Sequence, residues 1–310
     1  MGFNYNDLSG STTLSASTWY HIAFVYNYQA AQQIIYIDGV QDAIRSGVTT
    51  PYLGTNGSLT MGYSPLLVSS SYYYYYIDNL LLTTRAKSSS ELLNDATQIF
   101  YFSFDLLNVY YDSGPNRLNS TSYSSLVSIA GRVNQGIRFT TSTSYFQMYA
   151  FYSIGVYNNR PFTFAVWISP SSINGGVIIH ISNYQGGYGT YQDILSLTYS
   201  GQIMTQIPAS NGYYPSVIGP FISLNTWTHI AITFSTTNGL TLYVNGTSQG
   251  STGSISSYSN SGGLMYVTLG YNQGYAASNV VNLPFQGSMD EFYAYRREMS
   301  SSEINSLANP

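Results

Sequence analysis

Short runs in which apolar and polar residues alternate, or in which β-branched residues follow one another, recur along the whole chain. They include YHIAFVYNY (20–28), QQIIYIDGV (32–40), FTFAVWIS (162–169), HIAITFS (229–235) and LMYVTLGY (264–271). Asn-Gly, Asp-Gly and Gly-Gly pairs separate such runs at a spacing typical of a β-sandwich. Two stretches look helical, at 88–98 and 300–308, and each has a Ser three residues before a Glu, as in a capping box. The pattern predicts an all-β chain with two short helices.

Three of these segments occur twice in the same order. Residues 17–43 align with 225–250, residues 58–64 with 265–272, and residues 75–94 with 287–306. The spacing agrees as well, because Asp78 precedes Glu91 by 13 residues and Asp290 precedes Glu303 by 13 residues. One structural unit is therefore present twice, about 210 residues apart.

The two copies differ in what comes before them. Roughly 127 residues lie between Phe100 and Trp227, including several further strand patterns, whereas 18 residues precede Trp19. The first copy thus lacks about a hundred residues that its twin has. We predict a complete domain at 98–310 and a partial unit, the carboxyl-terminal half of such a domain, at 1–97.

The repeated motifs carry a family resemblance. An aromatic-x-His step opens a strand in both copies, and a Tyr-x-Asx-Gly hairpin follows it at Tyr36–Gly39 and Tyr243–Gly246. This arrangement resembles the laminin-G-like, concanavalin A-like family. The resemblance implies an antiparallel jelly-roll β-sandwich of the type found in many extracellular proteins. It does not imply one activity, because this fold hosts adhesion modules, lectins and glycosidases alike.

Composition narrows the function and the location. Charged residues make up 7% of the chain, far below the roughly 25% of an average globular protein, and the net charge is −4 with no basic stripe. Nucleic acid is therefore excluded as a partner, and no apolar run is long enough to span a membrane. Three N-x-[ST] sequons, at Asn56, Asn119 and Asn245, are candidate N-glycosylation sites. Together these features favour an extracellular protein.

Catalytic and metal-binding residues are sparse. Glycoside hydrolysis needs two carboxylates that act on one bond, but Asp290 and Glu291 are adjacent on a strand and should point to opposite faces. The paired histidines His21 and His229 are best interpreted as packed, hydrogen-bonded strand residues. We therefore predict no enzymatic activity. The family resemblance raises calcium as a cofactor, with candidate ligands scattered in loops: Asp112, Asn183 and Asp193.

Saccharide binding is an alternative function, because aromatic rings can stack on sugar faces beside amide side chains. The candidate residues are Tyr184, Tyr188, Tyr191, Tyr213 and Tyr214. Their specificity is limited by the abundance of tyrosine, since the chain contains 33 tyrosines.

The partial unit motivates the main functional hypothesis. Half a sandwich leaves its inner face and strand edges uncovered, so another copy of the chain, or upstream repeats of a longer chain, should cover it. A strand interpretation of residues 72–82 gives two largely apolar faces, and we predict self-association there, through Tyr72, Tyr73, Tyr74, Tyr75, Tyr76 and Leu81. The sequence thus favours a non-enzymatic extracellular structural or adhesive protein that self-associates into a fibre or matrix. A glycan-binding lectin is the alternative, and a glycoside hydrolase is a remote one.

Overall fold

The computed structural model of the protein describes residues 7–48, 61–62, 72–105, 108–151, 159–209, 212–258, 262–277 and 279–310. The chain divides into two compact units, residues 1–97 (unit 1) and residues 98–310 (unit 2).

Unit 1 is a three-stranded antiparallel sheet with one helix. The strands are β1 (Ile22–Asn27), β2 (Gln32–Ile37) and β3 (Val40–Ser46), in the order β1-β2-β3, and the helix is α1 (Ser89–Thr97). Leu92 of the helix packs on Val25, Ile34 and Tyr36 of the sheet. The helix therefore covers one face of the sheet and buries a small core.

Unit 2 is a sandwich of two antiparallel sheets, which confirms the predicted jelly-roll fold class. One sheet has the order β13-β12-β11-β10-β17-β8-β5, and the other has the order β16-β15-β14-β9-β18-β7-β6 with β4 also paired to β18. The strands, followed by helix α2, are β4 (Gln98–Phe102), β5 (Ser122–Ser124), β6 (Leu126–Ala130), β7 (Gln135–Phe139), β8 (Tyr145–Phe151), β9 (Phe162–Pro170), β10 (Gly176–Ser182), β11 (Tyr191–Leu197), β12 (Gln202–Gln206), β13 (Ser216–Phe221), β14 (Thr228–Ser235), β15 (Gly239–Val244), β16 (Thr247–Ser251), β17 (Met265–Leu269), β18 (Gly287–Tyr295) and α2 (Ser301–Ala308).

The core of unit 2 lies between its two sheets. Alternate residues of β9 take part in two clusters: Phe164 and Val166 pack between the sheets, while Ala165 packs with Ile304 of α2 on the other face. Because both faces of β9 are covered, the strand is an almost continuous apolar run rather than an alternating one.

The duplication is visible in individual hydrogen bonds. In unit 1 the N–H of His21 donates to the Asp38 carboxylate (3.0 Å), and the N–H of Asp38 donates to the His21 carbonyl (2.8 Å). In unit 2 the N–H of His229 donates to the Asn245 side chain (3.0 Å), and the N–H of Asn245 donates to the His229 carbonyl (2.8 Å). Each Asx residue and the Gly after it have positive φ, so the hairpin turn has the same form in both units.

The helix starts are duplicated too, and both predicted capping boxes are present. At α2 the Ser300 hydroxyl accepts from the Glu303 N–H, and the Glu303 carboxylate accepts from the Ser300 N–H. Ser88 and Glu91 exchange the same bonds at α1, where the N–H of Ser88 donates to the carboxylate (2.8 Å). An arginine six residues before each glutamate also pairs with it, as Arg297 does at 2.7 Å.

The interpretation of the tyrosine run as a strand was wrong. The described residues 72–84, which include the predicted self-association residues, form an isolated bridge at Tyr72 but no strand. Their counterpart in unit 2 includes the whole of β18, which pairs with β4, β7 and β9. No such strands pair with residues 72–84 in the described part of unit 1, so the alternation of two faces is not formed.

Candidate functional site

An open cavity of about 570 Å³ lies on the face of the seven-stranded sheet that points away from the sandwich core. It is bordered by β8, by β17 and by the connections that follow β10 and β17. The lining residues are Tyr145, Tyr149, Asn183, Tyr184, Gln185, Gly186, Tyr188, Tyr266 and Gln273.

The alternation of β8 and β17 explains why tyrosines reach this face. Phe146 and Met148 of β8 point into the core and are fully buried, so their neighbours Tyr145 and Tyr149 point the other way. Tyr266 takes the same outward position on β17, between two core residues. Two neighbouring strands thus place three rings on one surface.

The rings are arranged in two pairs. Tyr149 and Tyr266 face each other across β8 and β17, with centroids 4.4 Å apart and planes inclined by 33°. Tyr184 and Tyr188 stack within the loop between β10 and β11, with centroids 4.7 Å apart and planes inclined by 8°. Because Tyr149, Tyr184 and Tyr188 are exposed, a ligand in the cavity can contact both pairs.

Buried polar groups hold the loop that carries the second ring pair. The Gln147 amide donates to the Gln185 carbonyl (2.9 Å) and to the Thr268 hydroxyl (2.8 Å). The Nε2 atom of His180 lies 3.0 Å from the Gly187 carbonyl oxygen. Since the side chains of Gln147, Thr268 and His180 are fully buried, the loop is fixed to the sheet at two points.

Asp193 joins this loop to a second one. Its carboxylate lies 2.7 Å from the His180 Nδ1 atom and accepts the N–H of Ala277 (2.7 Å) in the connection that follows β17. The sequence interpretation placed Asp193 in a loop, but it lies in β11 with its side chain fully buried. Asp193 thus holds together the two connections that border the cavity.

Among the described residues that line the cavity there is no Asp, Glu, Lys, Arg or His. The side-chain amides of Gln185 and Gln273 offer both donors and acceptors beside the rings. Apolar ring faces with neutral hydrogen-bonding groups suit a neutral ligand that has both C–H faces and hydroxyl groups.

The structure brings some of the sequence-predicted saccharide residues together. Tyr184 and Tyr188 line the cavity, and Tyr191 lies beside it, because the Tyr275 ring is 5.9 Å from both Tyr188 and Tyr191. The other two predicted residues lie in the connection between β12 and β13, outside the lining: Tyr213 and Tyr214.

Sequence reasoning missed six lining residues: Tyr145, Tyr149, Gln185, Gly186, Tyr266 and Gln273. The alternation in YFQMY could have placed Tyr145 and Tyr149 on an outward face. No local signal shows that β8 pairs with β17, which is more than a hundred residues further along the chain.

The other carboxylate proposed as a calcium ligand has backbone partners. Asp112 is buried, and its two oxygens accept the N–H groups of Tyr101 (2.8 Å), Gly114 (2.7 Å) and Leu118 (2.8 Å). Among the described residues, no group of three or more His, Cys, Asp or Glu side chains is placed to hold a metal ion. Calcium binding stays a prediction without a defined ligand set.

The adjacent carboxylates of β18 serve different neighbours. Asp290 accepts the N–H groups of Arg132 (2.7 Å) and Val133 (2.9 Å), and Glu291 accepts the Tyr101 hydroxyl (2.9 Å). Burial raises the pKa of Asp290 to about 7, although these N–H groups oppose the shift, and burial also raises the pKa of Glu291. Both carboxylates are buried, so neither side chain is presented to a substrate.

His229 is packed as predicted, but its ring does not make the expected hydrogen bonds. The backbone N–H makes the bond to Asn245, while neither ring nitrogen has a hydrogen-bond partner among the described residues. The ring packs edge-on to Trp167, with centroids 5.3 Å apart. Burial lowers the pKa of His229 to about 4, so the ring is neutral at physiological pH.

The sequons lie at different kinds of site. Asn119 is exposed, and its side-chain oxygen accepts the N–H of Asp112 (3.0 Å). Asn245 is exposed in the turn between β15 and β16. Asn56 lies outside the described residues. Glycosylation of all three remains a prediction.

Comparison with known proteins decides the family. A sequence model for the concanavalin A-like lectin/glucanases superfamily, of the laminin G type, matches residues 2–93 and 140–305. The chain belongs to the concanavalin A-like lectin/glucanase superfamily. Both units of the duplication are included in the matched ranges, as expected from their shared motifs. No curated protein sequence matches the chain.

Solved structures with the same superfamily fold include binding domains. Domain 4 of AbnA, a GH43 extracellular arabinanase from Geobacillus stearothermophilus, was solved with arabinotriose; it is 19% identical, with 68% of this chain and 98% of that chain covered and a TM-score of 0.51. The binding domain of Paraclostridial Mosquitocidal Protein 1 is 20% identical, with 69% and 52% covered and a TM-score of 0.51. The receptor binding domain of botulinum neurotoxin D is 16% identical, with 69% and 52% covered and a TM-score of 0.50. The match spans about half of each toxin domain, and at these identities the likeness shows the shared fold alone.

Within the part of this concanavalin A-like chain that the structure describes, no helix is both long enough and apolar enough to cross a membrane.

Proposed function

We propose that unit 2 is a non-catalytic module that binds neutral saccharides in the tyrosine-lined cavity. The observation that carries the proposal is the combination of two ring pairs in the cavity with amide side chains and, among the described lining residues, no charged side chain. Sugar rings present C–H faces that pack on aromatic rings, and their hydroxyl groups suit the donor and acceptor atoms of Gln185 and Gln273.

Two further considerations support this function. Domain 4 of the arabinanase, which has the same fold, was solved with a neutral trisaccharide. The buried carboxylates of β18 have structural partners, so a non-catalytic role fits them better than hydrolysis does. A saccharide-binding module with candidate sequons at Asn119 and Asn245 also suits an extracellular location, which remains part of the proposal.

Calorimetric titration of the full chain with a panel of neutral trisaccharides, including arabinotriose, tests the proposal. We expect binding by at least one of them, and at least tenfold weaker binding after Tyr149→Ala or Tyr188→Ala, because each variant removes one ring of a pair. Tyr199→Ala is the matched control, since Tyr199 is exposed but lies outside the lining. Absence of binding at millimolar sugar, or equal affinity in all variants, would refute the proposal.

Self-association into a fibre or matrix, with an adhesive or structural role, is a second candidate function. The observation that favours it is the exposed apolar surface of unit 1, where Phe24 is 62% exposed and Leu82 is 83% exposed. Light scattering and negative-stain electron microscopy of the purified chain should show oligomers or polymers. A strictly monomeric chain across a hundredfold range of concentration would exclude this role.

A further inference from the structure

The sheet of unit 1 has an inner face that is exposed along its edge strand β1. Ile22 and Phe24 of β1 occupy the positions of Ile230 and Ile232 of β14, which point into the sandwich core of unit 2 and are fully buried. In unit 1 the same positions are 42% and 62% exposed. The face that the second sheet covers in unit 2 is therefore open along β1 in unit 1, whereas Gln33 and Ile35 of β2, which lie on the same face, are buried.

One strand edge of this sheet is open as well. In unit 2 the strand β14 pairs with β15 on one side and with β9 on the other, over seven consecutive residue pairs from Thr228 to Phe234. In unit 1 the equivalent strand β1 pairs with β2. Among the described residues no strand pairs with the other edge of β1.

Unit 1 also contains the segment that, in unit 2, lies on the far side of β9. Residues 75–83 correspond to β18, which pairs with the far side of β9. Asn79 has a φ of 49° and its N–H donates to the Asp78 carboxylate (2.8 Å), and Glu291 has a φ of 51° with the same bond to Asp290 (2.9 Å). The segment thus keeps the local shape of β18, although it has no strand partner among the described residues.

This segment stays close to the beginning of β1. The rings of Trp19 and Tyr76 lie 6.4 Å apart. In unit 2 the residues at the same positions are Trp227 and Ser288. There β9 runs between β14 and β18, with Ser169 opposite Ser288. Unit 1 therefore holds both neighbours of a β9-type strand at one place, without a strand of that type in its described part.

We propose that unit 1 is an acceptor for a separate donor strand, inserted between β1 and residues 75–83. The occupant is an extended, apolar segment of about nine residues with the character of β9, in which aromatic or aliphatic side chains at alternate positions cover the inner face. By the register of unit 2, the donor runs antiparallel to β1. A residue in the place of Val166 lies opposite Ile22, and one in the place of Phe164 lies opposite Phe24.

A second copy of this chain does not fit the role of donor equally well. Its own β9 is almost completely buried at the centre of a sheet and pairs with both β14 and β18. Removing that strand would disrupt the core of unit 2. The described part of its unit 1 has no β9-type strand to offer. The occupant is therefore an unengaged strand of this kind that neither unit 2 nor the described part of unit 1 supplies.

A peptide with the sequence of residues 160–172, with two lysines added at each end, tests the proposal on the full chain. Hydrogen-exchange mass spectrometry should show at least tenfold slower exchange in residues 22–27 and 75–83 when the peptide is saturating, because inserted strand pairs protect both edges. The same peptide with Ala165→Pro is the control, since proline in a central strand removes a donor and blocks pairing. Phe24→Asp in the protein should abolish the protection, while Phe221→Asp, at an equally exposed position in unit 2, should not.

Three outcomes would overturn the proposal. No protection by the peptide would show that the two edges do not accept a strand. Protection that rises with protein concentration in the absence of peptide would identify a second copy as the occupant. Full protection of residues 22–27 in dilute protein without peptide would show that the chain covers its own edge. None of these outcomes affects saccharide titration, so the proposed function of unit 2 stands or fails separately.

Discussion

The duplicated isoleucines Ile22 and Ile230 allow a direct measurement of how far the inner face of unit 1 is covered. They occupy the same position of the repeated motif, and replacing each by alanine deletes the same three carbon atoms. Ile230 is fully buried in the sandwich core, whereas Ile22 is 42% exposed. Any difference between the two losses of stability therefore reports on the surroundings and not on the chemistry of the substitution.

The expected losses follow from burial. Three buried carbon atoms are worth about 2.4 kcal/mol at ~0.8 kcal/mol each, and an unrelaxed cavity adds about 1 kcal/mol, so Ile230→Ala should lower the free energy of unfolding of unit 2 by about 3.5 kcal/mol. For Ile22 the transfer contribution falls to about 1.4 kcal/mol, because 58% of the residue is buried, and no cavity forms where water can enter. We expect the two losses to differ by about 2 kcal/mol.

Urea titration followed by hydrogen-exchange mass spectrometry measures both losses in one full chain. Peptides from residues 22–37 report the unfolding of unit 1, and peptides from residues 228–244 report that of unit 2. Equal losses for Ile22→Ala and Ile230→Ala would refute the claim that the inner face of unit 1 is open along β1. If a donor strand binds, the loss for Ile22→Ala should rise towards that for Ile230→Ala in the presence of the peptide.

Two further predictions concern buried polar groups of unit 2. The pKa of Asp290 is raised to about 7, so the folded state holds a proton that the unfolded state releases from about pH 4 upwards. Unit 2 should therefore lose stability as the pH rises from about 4 to about 7, by up to about 1.4 kcal/mol per pH unit. Asp290→Asn should flatten this pH dependence of stability in urea titrations, whereas Asp78→Asn at the exposed twin should leave it unchanged. The same pH dependence in Asp290→Asn as in the natural chain would show that Asp290 is not its source. His180→Ala should weaken saccharide binding at least tenfold and speed amide exchange in residues 183–190, because it removes the contact with the Gly187 carbonyl; unchanged affinity would show that the loop needs no such anchor.

The elements that the sequence predicted are those that short segments determine. The strands could be read from alternation, and both helix starts from the Ser and Glu of their capping boxes, because hydrogen bonds within four residues define them. The Asx-Gly hairpins were readable for the same reason, since positive φ at Asp38 and Gly39 is a local requirement of the turn.

The candidate saccharide site could not be predicted in the same way, because it depends on strand pairing over long distances. Tyr149 and Tyr266 are 117 residues apart in the sequence and meet because β8 and β17 pair. The prediction of a strand at the tyrosine run was wrong for a related reason. Alternation predicts which face a side chain would take in a strand, but it does not show whether strand partners exist.

Residues 75–83 and β18 separate local from non-local contributions to structure. Both segments have positive φ at the residue after the shared aspartate, and both form the hydrogen bond from that residue to the carboxylate, so these features are encoded locally. Only β18 is a buried strand. The difference must come from its neighbours β4, β7 and β9, which have no counterparts among the described strands of unit 1.

The same comparison limits where saccharide can bind. The cavity of unit 2 is built on β8, β17 and the loop between β10 and β11, and three of these four strands precede the duplicated motif. None of the described strands of unit 1 corresponds to β8, β10 or β11, so the described part of unit 1 has no equivalent of Tyr149 or of the anchored loop. The proposed function therefore assigns saccharide binding to unit 2. A donor that completes unit 1 with a single strand would cover the inner face and the edge of β1 without creating a second cavity.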